Sequence, residues 1–96
     1  MYVIYGQFNL FLPQSSSLKD KRQTIQSIMA RLHKRFNISV CEVDYQNLWQ
    51  RSALGFAAAA KSSGDADFVL QSIKSTLEYY EDVCEITDFA QELVSF

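Results

Sequence analysis

The chain has 96 residues, 48% of them hydrophobic, and a formal net charge of −2. This length suits one domain over residues 1–96 with a buried core, and the apolar content excludes wholesale disorder. The acidic balance by itself argues against a strong nucleic-acid binder. The start of the chain has no basic leader, and the longest apolar run, 56–60, is too short to span a bilayer. We therefore expect a cytoplasmic protein without a membrane partner.

The charges are unevenly distributed along the chain. Residues 1–36 contain six Lys and Arg but one acid, whereas residues 37–96 contain three basic residues and ten acids. This split predicts one basic and one acidic region, and it gives more functional information than the net charge does.

Residues 2–12 alternate in polarity, with Ile4, Phe8 and Leu10 on one face. A period of two with aromatic and β-branched residues predicts a strand. We expect Pro13 to end it, because proline cannot donate to a sheet ladder.

A helix is predicted next, from about Leu18 to Phe36. Ser17 is a favourable N-cap, and Asp20 lies near the position of a capping-box acid. The apolar residues that follow recur at helical spacing. They are Leu18, Ile25, Ile28, Met29, Leu32 and Phe36.

The remaining pattern predicts strand, strand, helix and strand. The order β-α-β-β-α-β indicates an α+β fold of the ferredoxin-like type, a four-stranded antiparallel sheet with two helices on one face. Its second and fourth strands are opposite edges, so we expect Cys41 and Cys84 to be free thiols. The expected segments are a strand at 38–45, a connection at 46–51, a strand at 53–60, a helix at 66–80 and an imperfectly alternating strand at 83–94, which a bulge would explain.

The basic residues of the first helix fall mainly on its solvent side when about 100° is allowed per residue. One interpretation is a face that binds a polyanion, above all RNA; the alternative is an ordinary solvated helix. The RNA-binding candidates are Lys19, Lys21, Arg31, Lys34 and Arg35, with Arg51 in the connection as a neighbour.

Arg22 falls inside the apolar stripe on the same helical projection, where a charge must find a partner or extend to water. Glu42 and Asp44, two residues apart on the second strand, are its candidate partners. We expect a structural polar cluster of these three residues. Two carboxylates without a nearby His make a poor metal site, so neither a metal nor a cofactor is expected.

The single Trp, Trp49, lies in the connection beside Arg51. It is a candidate for stacking or partner contact, although a lid over one end of the core is the favoured interpretation. One His and two Cys give no recognisable nucleophile, base and orienter, so we assign no catalytic residues and no small-molecule substrate. An undetected enzyme, with its site at the Arg22 cluster, is the least supported hypothesis.

Two functional hypotheses follow from these patterns. The first is a non-catalytic RNA- or ribosome-associated module that uses the basic helix. The alternative is a protein-interaction or self-associating structural domain without nucleic-acid binding. A homo-oligomer would then form through the exposed sheet face around Tyr5 and Phe11 or through edge strands.

A set of short motifs spread over nearly the whole chain resembles one known family. The motifs are Ser17-Leu18-Lys19-Asp20-Lys21-Arg22, Arg35-Phe36-Asn37-Ile38-Ser39-Val40, Glu42-Val43-Asp44, Trp49-Gln50-Arg51 and Leu54-Gly55. In this order they are similar to the YlxP-like family, small bacterial domains of unknown function. The resemblance implies a ferredoxin-like fold in the bacterial cytoplasm. Genes of this family commonly lie beside a ribosome-binding factor, a transcription elongation factor and an initiation factor, which implies a role in ribosome maturation or RNA handling.

Overall fold

The computed structural model describes residues 1–96 and confirms the βαββαβ order. Both helices lie close to the segments predicted for them, and α2 begins three residues earlier than expected. The third strand also begins earlier, at Arg51. The elements are β1 (Tyr2–Phe11), α1 (Leu18–Arg35), β2 (Ser39–Asp44), β3 (Arg51–Ala60), α2 (Ser63–Glu78) and β4 (Glu85–Ser95).

The four strands form one antiparallel sheet in the order β2-β3-β1-β4. The edges are therefore β2 and β4, as the ferredoxin-like topology requires. Cys41 lies exposed on β2, and Cys84 lies buried just before β4. Both thiols are free, which confirms the prediction made from the topology.

The core lies between the helices and one face of the sheet. The alternating residues of β1 that the sequence assigns to the inner face, such as Phe8 and Leu10, are fully or almost fully buried. They meet Leu54 of β3, Ile28 of α1 and Ile73 of α2 in one apolar cluster. Burial of each such side chain stabilises the fold by about 1.5–3 kcal/mol, so this cluster holds the layers together.

The two halves of the sheet are covered unequally by the helices. The helices contact each other, and among the strands α1 contacts mainly β2, whereas α2 contacts β3 and β1. Almost every residue of β4 is exposed, with only Phe89 half-buried. The Phe89 ring stacks on Phe8 with 5.5 Å between the ring centroids, which gives β4 its main anchor on the core.

Gly6 permits the close contact between β1 and β4. A Cβ atom at this position would collide with the backbone carbonyl oxygen of Ala90 and lie 2.9 Å from the Cα of Gln91. The β4 ladder also contains one irregularity, opposite Asn9 and Leu10, which agrees with the predicted bulge.

The start of α1 is capped by its own side chains. The Ser17 hydroxyl accepts a hydrogen bond from the Asp20 amide at 3.0 Å. The Asp20 carboxylate accepts hydrogen bonds from the Ser16 hydroxyl at 2.8 Å and from the Ser16 amide at 3.1 Å. The hydroxyl bond and then the amide bond hold the pKa of Asp20 below its usual value. This helix end is therefore satisfied by capping.

Neither α1 nor α2 is long and apolar enough to cross a membrane.

Candidate nucleic-acid interface

A fully buried lysine lies near the start of α1. Lys21 has 0% exposure, and its ammonium donates hydrogen bonds to the carbonyl oxygens of Tyr45 at 2.7 Å and Gln46 at 3.1 Å. A third bond reaches the Arg51 carbonyl oxygen at 3.2 Å. An ammonium has three donors, so this ring of carbonyls replaces the water that Lys21 loses on burial.

Glu42 compensates the charge of that ammonium. Its Oε2 atom lies 3.2 Å from the Lys21 nitrogen and also accepts a hydrogen bond from the Ser52 hydroxyl at 2.6 Å. Ser52 is fully buried, and no buried side-chain nitrogen or oxygen in the structure lacks a partner. We call Lys21, Glu42 and Ser52 the Lys21 cluster.

The structure corrects the predicted polar cluster. Arg22 is exposed and forms no ion pair with Glu42 or Asp44, because the one ion pair present joins Lys21 to Glu42. The Asp44 carboxylate instead accepts a hydrogen bond from the Tyr45 amide at 2.7 Å. Lys21 thus takes the structural role expected of Arg22, and it leaves the set of accessible RNA-binding candidates.

The error lay in the assumed direction of the apolar stripe. The buried residues Ile25, Ile28 and Leu32 continue from Lys21 at spacings of four, three and four residues. Their common direction lies about 50° from Leu18, on the side of Lys21, and about 90° from Arg22. The spacing itself was a signal that could have identified Lys21, whereas the carbonyl ring and Ser52 had no signal in the sequence.

The Lys21 cluster fixes the segment between β2 and β3, residues 45–50, which we call the β2–β3 loop. Tyr45 has a φ of 61°, a left-handed conformation that costs a non-glycine residue about 1–3 kcal/mol. The Lys21 bond to the Tyr45 carbonyl holds the loop in this conformation. The Arg51 guanidinium lies 4.6 Å from the centre of the Tyr45 ring.

Gln50 attaches the other end of the loop to the segment before α1. Its side-chain amide donates to the Pro13 carbonyl at 3.0 Å and approaches the Ser15 carbonyl at 3.4 Å. Its backbone carbonyl accepts from the Leu12 amide at 2.8 Å. The loop is therefore fixed at both ends by polar contacts.

Trp49 projects from this loop into solvent, with 55% of its surface exposed, and its neighbour Leu48 is 46% exposed. The favoured interpretation of Trp49 as a lid over the core is therefore wrong. Its role as a partner contact stays a prediction.

The other basic candidates lie on the surface. None of them forms an ion pair, since Lys21 holds the single ion pair of the structure. Arg31 contacts the end of α2, with its guanidinium 4.4 Å from the Tyr79 ring centre. The exposed cations of α1 are Lys19, Arg22, Arg31, Lys34 and Arg35.

Acids dominate the opposite side of the sheet, the face that the helices leave open. Asp88 and Glu92 of β4 lie opposite Asn9 and Tyr5 of β1 in the ladder. The Tyr5 hydroxyl donates to the Glu92 carboxylate at 2.6 Å, and this bond raises the pKa of Tyr5. The basic surface of α1 and the acidic open face are therefore separate. No group of three or more His, Cys, Asp and Glu residues is placed to hold a metal ion.

Comparison with solved structures supports the fold assignment. A de novo designed protein with a ferredoxin fold, LFR1 1, superposes with a TM-score of 0.59 at 9% identity, covering 100% of this chain and 88% of the design. A dimeric ferredoxin-like protein from an uncultured marine organism superposes with a TM-score of 0.55 at 9% identity, covering 100% of this chain and 98% of that protein. These similarities show the ferredoxin-like fold alone.

Comparison of sequences identifies the family. The uncharacterized protein YlxP of Bacillus subtilis (strain 168) is 28% identical over 79 residues, which cover 82% of this chain and 86% of that protein. The family model "Protein of unknown function (DUF503)" matches residues 3–91. The predicted resemblance is confirmed: the chain belongs to the DUF503 family, a YlxP-like family of unknown function.

Proposed function

We propose that this protein is a non-catalytic RNA-binding module of the bacterial cytoplasm that acts on RNA or on a ribosomal particle. The observation that carries the proposal is the solvent side of α1, where five exposed cations lie and none of them forms a salt bridge. Asp20, the one acid of the helix, is engaged by Ser16 and Ser17 in the cap.

The spacing of these cations suits a linear polyanion. Lys19 and Arg35 are separated by about 24 Å along the helix axis, at about 1.5 Å per residue. The cations form two groups at the two ends of α1, with Arg22 and Arg31 on opposite flanks, so each group can contact its own stretch of phosphates and release their counterions. The backbone of the β2–β3 loop lies beside the first turns of α1 because Lys21 joins the two.

Binding measurements with a helix-neutralised variant test the proposal. Replacement of Lys19, Arg22, Lys34 and Arg35 by Gln should abolish most of the affinity for RNA and flatten its dependence on salt. A double Lys61→Gln and Lys74→Gln variant is the matched control, because it removes charge outside α1. Unchanged RNA or ribosome association in the helix-neutralised variant would exclude the proposal.

Self-association is the second candidate, and the exposed edge of β4 favours it. This strand has 11 residues and contains no Pro, Lys or Arg, the usual protections of an edge. Ile86 and Leu93, each 44% exposed, lie on it. In an antiparallel pairing of two copies about Gln91, Phe89 would face Leu93 and no acid would face an acid.

Sedimentation velocity tests this second candidate. Leu93→Lys should convert a dimer to a monomer, whereas Val83→Lys, outside the strand, should leave the dimer intact. A monomeric wild-type chain at high protein concentration would rule out the pairing. High salt should strengthen the dimer, since each β4 is acidic, and the same salt should weaken RNA binding.

A further inference from the structure

We infer that Trp49 is a stacking platform for one unpaired base of a single-stranded RNA, and that Lys21 is the positioning residue of the loop that presents it. This inference rests on the proposed function and assigns the ligand as an unpaired base held beside the basic helix.

Polar contacts fix the backbone of the β2–β3 loop on both sides of Trp49 and leave its side chain exposed. Lys21 binds the carbonyls of Tyr45, Gln46 and Arg51 on both sides of the Trp49 position. The Gln50 side chain ties the same loop to the segment before α1. An aromatic ring that is exposed on a fixed backbone loses little conformational freedom when a ligand binds, which favours its use as a contact.

The charges around Trp49 suit the backbone on either side of a stacked base. Arg51 is two residues away in the chain and exposed, while Lys19 and Arg22 are the exposed cations nearest to the buried Lys21 along α1. The loop itself contains no acid. Of the nearby acids, Glu42 is paired with Lys21, and Asp44 accepts a hydrogen bond from the loop backbone. The third, Asp20, accepts hydrogen bonds from Ser16 in the α1 cap.

An unpaired base is the ligand that fits this geometry. In an RNA duplex the base faces are covered by their neighbours, so only an unpaired or terminal base can lie against an indole ring. Stacking on an aromatic side chain tolerates any base, and it adds to phosphate contacts without requiring a shaped pocket. Trp49 therefore directs the module towards single-stranded segments.

The fluorescence of Trp49 reports on this contact directly, because it is the single Trp of the chain. Titration with a short oligouridylate should quench the emission. Trp49→Ala should weaken binding of that oligonucleotide by about tenfold or more and leave the salt dependence unchanged. Trp49→Phe should retain most of the affinity, and Leu48→Ala, which trims the exposed neighbour, is the matched control. Binding of a duplex of the same length should not change in any of these variants.

Lys21→Met tests the positioning role, since it keeps the length of the buried stem and removes the ammonium. We expect a weaker affinity for oligouridylate and a lower steady-state anisotropy of Trp49, with binding of the duplex retained. Gln50→Ala loosens the loop without disturbing the core, so it provides the same test if Lys21→Met does not fold. Unchanged Trp49 anisotropy and affinity in the folded variant would overturn the positioning role.

The outcomes separate the two proposals. Salt-dependent RNA binding that requires the α1 cations, without quenching of Trp49 and without an effect of Trp49→Ala, would overturn this inference and leave the proposed function standing. Absence of binding to both oligouridylate and duplex would overturn both.

Discussion

The helix α1 and the strand β4 are opposites in charge and in burial. The accessible charges of α1 are almost all positive, and its other side buries Ile25, Ile28 and Leu32. The acids of β4 are Glu85, Asp88 and Glu92, and the strand carries no basic residue. It is exposed along almost its whole length.

The difference shows that a charged residue can either be part of the core or lie on the surface. On α1 one lysine is part of the folded interior, and the other cations are exposed, with Arg31 lying against the Tyr79 ring. On β4 no charge is buried, and the strand is attached through its ladder to β1 and through Phe89. A charge change should therefore have its largest effect on stability at Lys21, and a backbone change should affect β4 most.

The largest expected effect is that of Lys21→Met on stability. Removal of the ammonium leaves Glu42 and three carbonyls without their partner, and a broken buried pair typically costs about 3–5 kcal/mol. Arg22→Met, the matched change one residue along, should lie within about 0.5 kcal/mol of wild type because Arg22 is exposed. Urea unfolding measures both. Equal effects would contradict the burial assigned to Lys21.

A smaller effect is expected from Gly6→Ala. The new methyl group would collide with the Ala90 carbonyl, and overpacking of this kind costs about 1–3 kcal/mol. Hydrogen exchange should show the amides of β4 opening before those of β3. Gly64→Ala is the control, since a Cβ at this position meets only the Ser62 hydroxyl oxygen at 3.8 Å. Alanine also loses less conformational freedom than glycine when the helix forms. It should be neutral or slightly stabilising.

The two thiols should differ in reactivity although both are free. Cys41 is exposed and should react rapidly with a thiol reagent. Burial raises the pKa of Cys84, so less of its reactive thiolate is present and it should react slowly. Because its pKa is raised, the contribution of Cys84 to stability is present below the unfolded pKa, about 8.5. That contribution is lost as the pH rises through the higher folded value. A single fast phase for both thiols would contradict the placement of Cys84.

The smallest effect is expected at the α1 cap, and it should appear only in acid. The hydroxyl and amide of Ser16 lower the pKa of Asp20, so its contribution to stability is present above the unfolded pKa. It is lost as the pH falls through the lower folded value. Asp20→Asn should therefore reduce the difference between stability at neutral and at acid pH. Parallel pH profiles for the two proteins would show that the cap does not depend on the charge.

The fold was predictable because its elements follow local periodicity. Alternation in β1, helical spacing in α1 and α2 and the order of elements were sufficient to predict the ferredoxin-like sheet. The start of β3 at Arg51 was missed, since its pairing with Phe11 depends on a contact between distant segments.

The site was less predictable for a physical reason. The hydrogen-bond partners of Lys21 are backbone carbonyls of the β2–β3 loop and of Arg51, 24 to 30 residues away, and a carbonyl is the same in every residue. Arg22 lies next in the chain and differs from Lys21 only by one step around the helix. The spacing of Ile25, Ile28 and Leu32 could assign the buried charge to Lys21, but its carbonyl partners could be identified only from the fold.

Because the carbonyl ring buries Lys21, its interactions respond to salt differently from those of the exposed cations. At 0.15 M salt the Debye length is about 8 Å, so the attraction between the exposed cations of α1 and a polyanion is largely screened beyond that separation. The Lys21 ammonium has no exposed surface, and small ions screen buried pairs much less. We therefore expect a rise in ionic strength to release a bound polyanion while the β2–β3 loop keeps its conformation. The protein would then be ready to bind again without refolding its loop.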